Sequence, residues 1–153
     1  MKLGVLGAGN ISEMTAPAMM ALAEIECYAV ASRSLEKAQK FADSYGFRKA
    51  YGSYEELVAD PEVELVYVAT PHSLHFEHMM LCLNHGKHVL CEKAFTMNAR
   101  QAKAVQALAK EKNLLVAEAI WPRYMPSRAM INEVIQSGKI GTVNTLTDRK
   151  SVV

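Results

Sequence analysis

Gly7-Ala8-Gly9-Asn10-Ile11-Ser12 stands between an apolar run, Lys2 to Leu6, and a segment of helical character. Glycine is needed where a chain turns sharply out of a strand, and again where a pyrophosphate must approach backbone N–H groups with no side chain in the way. Gly7 and Gly9 occupy those two positions, and Gly7, Gly9, Asn10 and Ile11 are the expected cofactor-binding residues of the turn. Ser12 takes the third position of the G-x-G-x-x-G pattern, where Gly or Ala is usual because helix and strand pack closely there. Two glycines so spaced also occur in ordinary turns, so the flanking strand and helix carry the reading.

Three further places have chemistry to offer. Ser32 and Arg33 follow the second apolar run, where a fold of this kind usually carries an acid for the ribose 2′-hydroxyl. Glu24 and Glu26 lie at the other end of that run, so a hydroxyl and a guanidinium stand there instead. That pair suits a 2′-phosphate, and a charge-assisted contact contributes about 1.5 to 3 kcal/mol; a surface arginine at a helix start is the plainer alternative. Thr70, Pro71 and His72 end the fourth run, and Glu92 and Lys93 end the fifth. A lysine delivered there can protonate or hydrogen-bond a substrate oxygen beside a nicotinamide, although lysines at strand ends are more often simply solvated. His72, His75 and His78 are spaced three apart, but rings so placed across a strand-to-helix turn do not converge on a metal, and none is expected.

The elements that position these residues alternate short β-rich runs with longer helical ones. Strands are expected at Lys2–Leu6, Ile25–Ala31, Lys49–Tyr51, Leu65–Thr70, His88–Lys93 and Leu114–Ala119. Between them lie a helix to about Leu22 containing Pro17, one from Leu35 to Tyr45 capped by Ser34, and a short one boxed by Ser53 and Glu56. Two more follow, one from Ser73 to Asn84 and one capped by Asn98 and Gln101. The continuous apolar run from Leu65 fits a strand buried on both faces. Six strands joined by crossovers describe an α/β fold, a doubly wound parallel Rossmann sheet, whose ligands bind beyond the carboxyl ends of the strands.

Composition narrows the partners. The 153 residues are 50% hydrophobic, and 17 Lys and Arg balance 16 Asp and Glu to a net charge of +1, so no field draws the chain to nucleic acid or a membrane surface. The expected partner is a small molecule. With no apolar run near the ~20 residues of a span, and no signal segment, a cytoplasmic location is expected. Cys27, Cys82 and Cys91 are odd in number and set in apolar segments, which fits reduced core thiols. The nine methionines read as core and interface filler.

The segments GAGNIS, AVASRS, VATPHSLH, GKHVLCEKAF and EAIWPRYMP together resemble the Gfo/Idh/MocA family of NAD(P)-dependent oxidoreductases, over about residues 1 to 147, and in particular its dihydrodiol-dehydrogenase-like branch. The resemblance implies hydride transfer between NADP(H), with NAD as the alternative, and a carbonyl or alcohol of a sugar-like or diol substrate. It assigns Lys93 as catalytic, and Thr70, Pro71, His75 and Glu92 as lining the cofactor; His72, at the same strand end as Thr70, and Lys93 itself are expected beside the cofactor too. Trp121 and Arg123 would stand near the nicotinamide, in the crossover to a second domain. Ala94 departs from the family, which usually has Pro after the lysine and so holds it extended. A non-catalytic dinucleotide sensor on the same fold is the competing reading; it would need the glycine turn but not Lys93.

By this resemblance residues 1–122 form the dinucleotide-binding domain, and 123–147 form only the start of a second α/β domain that selects the substrate. The intact parent would be a homo-oligomer. Gly141 to Thr147 reads as β-like, and Ile131, Val134 and Ile135 as a helix face lacking its cover. The last six residues, 148–153, leave the resemblance abruptly and form a peptide that a common sequencing adapter can encode, so a non-native tail and a fragment inactive by itself are expected.

Overall fold

The computed structural model describes residues 1–147; the expected tail at 148–153 lies outside the described residues. Two compact units are present, Met1–Ala119 and a second beginning at Ile120.

The first unit is a six-stranded parallel sheet. Its strands are β1 (Lys2–Leu6), β2 (Glu26–Ala31), β3 (Lys49–Tyr51), β4 (Leu65–Val68), β5 (His88–Cys91) and β6 (Val116–Glu118), arranged in the order β3-β2-β1-β4-β5-β6. The order reverses between β1 and β4, the switch point of a doubly wound sheet. Along β1, β4 and β5 alternate residues enter opposite cores. Val5, Val30 and Tyr67 face α1 (Asn10–Met20) and α2 (Leu35–Tyr45), through Ala16, Ala38, Phe41 and Ala42. Leu6, Val66 and Val68 face α3 (Tyr54–Ala59), α4 (His75–Asn84) and α5 (Ala99–Glu111), through Leu57, Met79, Leu83 and Val105. Each fully buried Val, Leu, Phe or Met among these contributes about 1.5 to 3 kcal/mol.

Local signals set the helix limits. Ser34 Oγ accepts from the Lys37 N–H at 3.4 Å, and Gly46, at φ 69°, closes α2 in the left-handed region. Ser53 and Glu56 form a reciprocal capping box, each bond 3.2 Å. Asn98 Oδ1 accepts from Gln101 N–H at 3.0 Å, while Gln101 Oε1 accepts from Met97 N–H at 3.1 Å. Helix α1 continues through Pro17 and ends at Met20 rather than Leu22.

Four strands are shorter than the sequence implies. β2 begins at Glu26 rather than Ile25, β4 ends at Val68, β5 at Cys91, and β6 covers only Val116–Glu118. The ladder between β4 and β5 stops at Val68 and Cys91, and β6 pairs with β5 over three residues only. Thr70, Glu92 and Lys93 therefore stand past the strands; the Glu92 N–H still donates to the Val68 carbonyl at 2.9 Å, and beyond it side chains hold the segment.

The second unit contains a 3₁₀ turn, Trp121–Tyr124, and α6 (Pro126–Gln136). No strand forms over residues 141–147. Ile131, Val134 and Ile135 are exposed, and with Ile140, Val143 and Leu146 they line an apolar cavity of about 390 Å³. Among the described residues, no helix is long and apolar enough to cross a membrane.

Candidate functional site

The switch point is built from Gly7. Its N–H donates to the Ala31 carbonyl at 2.9 Å, and its φ of 104° turns the chain out of β1. A Cβ there would meet the Ala69 carbonyl oxygen at 2.8 Å, so strand and turn accept only glycine. Gly9 differs: nothing lies within 4 Å of where its Cβ would stand. It is also the N-cap of α1, and no side chain caps the first turn. The opening N–H groups beside Asn10 and Ile11 thus face open space with the positive end of the helix dipole behind them, as a pyrophosphate requires. The residues present fit a dinucleotide at this turn. Ser12, only 1% exposed, sits under it and donates its hydroxyl to the Gly7 carbonyl at 2.5 Å. The serine thus does what neither Gly nor Ala can, fixing the turn from beneath.

Beyond β2, the Ser32 N–H donates to the Tyr51 carbonyl at 3.2 Å, and Ser32 Oγ accepts weakly from the Ser34 N–H at 3.4 Å. Arg33 is exposed and makes no ion pair among the described residues. Glu26, at the opposite end of β2, is occupied by Arg48 at 3.0 Å. Lys37 and Lys40 line an open cavity of about 430 Å³ together with Gly9 and Asn10. Sequence reading missed both lysines, although the Ser34 cap alone puts Lys37 in the first turn of α2. A larger cavity, about 690 Å³, is lined by Leu35, Tyr51 and Asp60 and contains none of the expected site residues.

Beyond β4, Thr70 is buried and its hydroxyl pairs with His78 Nδ1 at 2.8 Å. Burial holds His78 below the usual imidazole range. Pro71 and His72 are exposed, His72 on a 3₁₀ turn that leads into α4. His75 was expected to line the cofactor, yet its ring is wholly buried. Nε2 lies 2.9 Å from the Thr70 carbonyl oxygen and Nδ1 2.8 Å from that of Ala94. The two rings of His72 and His75 meet edge to face, and no cluster among the described residues could hold a metal ion.

Beyond β5, Glu92 Oε1 accepts from the Tyr67 hydroxyl at 2.6 Å and Oε2 from the Lys93 N–H at 3.2 Å. Burial first, then the carboxylate, hold the Tyr67 hydroxyl protonated far above the phenol range. Lys93 is exposed, the Lys93–Ala94 peptide is cis, and the next N–H, of Phe95, donates to Glu118 Oε1 at 2.9 Å. Tyr67 and Glu118 were not picked out from the sequence, and only the pairing of β4, β5 and β6 brings them to Glu92 and Phe95. Trp121 and Arg123 stand on the 3₁₀ turn of the second unit, both exposed.

A family model described as an oxidoreductase family with an NAD-binding Rossmann fold matches residues 1–120. Among similar proteins, the D-xylose 1-dehydrogenase (NADP(+)) of Hypocrea jecorina is 47% identical over 97% of this chain and 41% of its own length. The human trans-1,2-dihydrobenzene-1,2-diol dehydrogenase is 39% identical over 92% of this chain and 43% of its own. The structure of KijD10, a 3-ketoreductase from Actinomadura kijaniata, in complex with NADP superposes with a TM-score of 0.88 at 32% identity, covering 92% of this chain and 45% of that one. The chain thus spans about two fifths of the length of the curated relatives it matches. From the glycine turn to the sixth strand, the chain belongs to the Gfo/Idh/MocA family of oxidoreductases with an NAD-binding Rossmann fold.

Proposed function

We propose that this chain is the NADP(H)-binding part of an oxidoreductase that moves hydride between the nicotinamide and a carbonyl or alcohol of a sugar-like or diol substrate. The observation that carries the reading is the turn at Gly7 and Gly9, which presents an uncapped helix N-terminus to open space at the switch point. The names of the relatives support NADP and substrates of this class. When bound, the cofactor supplies or accepts the hydride.

In this reading Gly9, Asn10 and Ile11 hold the pyrophosphate on backbone N–H groups. Ser32 and Arg33 hold the 2′-phosphate, with Lys37 adding positive charge nearby. Thr70, Pro71 and His72 line the cofactor at the end of β4, and Glu92, oriented by Tyr67, accepts from the nicotinamide ribose. Lys93 gives a proton to the substrate oxygen as a carbonyl is reduced, and as the neutral amine takes that proton from the hydroxyl as an alcohol is oxidised. Trp121 and Arg123 belong to the approach to the substrate. His75 is assigned to the backbone instead, since both ring nitrogens are already engaged. The domain division at 122, a cytoplasmic location with free Cys27, Cys82 and Cys91, and a homo-oligomeric parent complete the proposal.

Paired glycine variants test it. Gly9→Ala meets no neighbour within 4 Å, so it should melt like the parent yet bind NADPH at least about tenfold more weakly, its methyl standing where the phosphate must come. Gly7→Ala, facing a carbonyl at 2.8 Å, should lower the melting temperature itself. Full NADPH binding by Gly9→Ala would refute the phosphate site.

A further inference from the structure

Three successive residues of the segment carrying Lys93 are held by three different side chains. Glu92 takes the Lys93 N–H, His75 of α4 meets the Ala94 carbonyl, and Glu118 of β6 takes the Phe95 N–H. His75 differs from the other two in being wholly buried and in having a second anchor, the Thr70 carbonyl past β4. A carbonyl oxygen only accepts, so each contact needs a proton on the ring nitrogen, and a neutral imidazole carries one. At 2.8 Å and 2.9 Å, a lone pair facing either carbonyl would be repulsive.

We propose that His75 is a positioning residue for Lys93: with protons on both ring nitrogens, it clamps the backbone after β5 to the backbone after β4 and so fixes where the lysine stands. The proposal rests on the reading of Lys93 as the catalytic group. A buried cation is costly, and here the two charge-assisted bonds offset that cost. The groups around the ring are His72, edge to face at 5.4 Å between centroids, and His78, which His75 makes harder to protonate. Through the segment it binds come Glu92 and Lys93 at the end of β5 and Glu118 on β6, while Glu55 of α3 and Glu77 of α4 act on neighbouring His78. No carboxylate hydrogen-bonds the ring directly among the described residues. When the ring loses a proton one bond must break, and the lysine segment loosens.

The full chain, labelled with ¹⁵N, decides this by NMR. Both nitrogens of His75 should carry a proton wherever the Ala94 and Phe95 amides are protected, and loss of either proton should coincide with shifts in the Lys93, Ala94 and Phe95 amides. A single protonated nitrogen while those amides are protected, or amides that stay fixed when the ring loses a proton, would overturn the proposal. In His75→Gln, which can reach only one of the two carbonyls, hydrogen exchange at Ala94 and Phe95 should be faster by about tenfold or more and lose its pH dependence. Exchange equal to the parent's would likewise overturn it. Should His75→Gln not fold, the ring measurement on the unsubstituted chain decides alone. NADPH titration of that unsubstituted chain keeps the readings apart: no binding would sink the cofactor assignment, whereas the ring and amide signals report on the clamp with no ligand present.

Discussion

The Tyr67 hydroxyl donates to Glu92 Oε1 at 2.6 Å, tying the interior of β4 to the first residue past β5. Tyr67 is 2% exposed and remains protonated, so it is a permanent donor that holds the carboxylate at one place. Tyr67→Phe keeps the ring and removes the tether. Its melting temperature should correspond to a loss of about 1 kcal/mol, the net worth of one hydrogen bond. NADPH affinity should fall severalfold, because Glu92 is no longer aimed. Fluorescence titration beside a thermal melt separates the two effects, and unchanged affinity would remove Tyr67 from the site.

Lys93 is exposed and its side chain holds no partner among the described residues, so the fold does not depend on its charge. In the protein extended to the length of its relatives, Lys93→Met should leave NADPH binding and melting nearly unchanged. It should lower kcat by about 10²-fold, the scale of a lost acid-base group. Steady-state kinetics with a sugar or diol would check this, and an undiminished kcat would favour the dinucleotide-sensor reading.

Asp60 gives a pH dependence with a definite sign. Burial alone would raise its carboxyl, but Lys49 at 2.8 Å, Tyr51 at 2.7 Å and the Glu62 N–H at 2.9 Å override it and hold the group at about 2, below its ordinary 3.8. The folded state therefore binds this proton less readily than the unfolded chain. The stabilisation is fully present above about pH 4 and is lost as the pH falls towards 2. Melting curves of the chain and of Asp60→Asn should differ most near neutrality and converge in acid. A difference that stays constant with pH would contradict the assignment.

What could be read in the sequence was what neighbouring residues decide. The turn at Gly7 and Gly9, the caps at Ser34, Ser53 and Asn98, and the buried run at Leu65 all follow from interactions within a few residues. The chemistry at the strand ends did not. Tyr67 looks like one more apolar position of β4 until the register with β5 sets it beside Glu92, and His75 reads as lining the cofactor, whereas the structure buries its ring between two backbone carbonyls. Glu118 reaches Phe95 across 23 positions of sequence, a contact only the order of the sheet creates. Strand lengths were overestimated for the same reason, since a ladder ends where its partner turns away and not where hydropathy falls.

The central claim is a dinucleotide site that prefers the phosphorylated cofactor, and titrating the chain with NADPH and NADH tests it most directly. Ser32 and an exposed Arg33 that makes no ion pair among the described residues, with no acid at the end of β2, predict tighter binding of NADPH. The expected margin is about tenfold or more, the equivalent of one charge-assisted contact of about 1.5 to 3 kcal/mol. Arg33→Ala should abolish most of that margin while leaving NADH affinity intact. Equal affinities in the parent, or equal losses for both cofactors in Arg33→Ala, would contradict it.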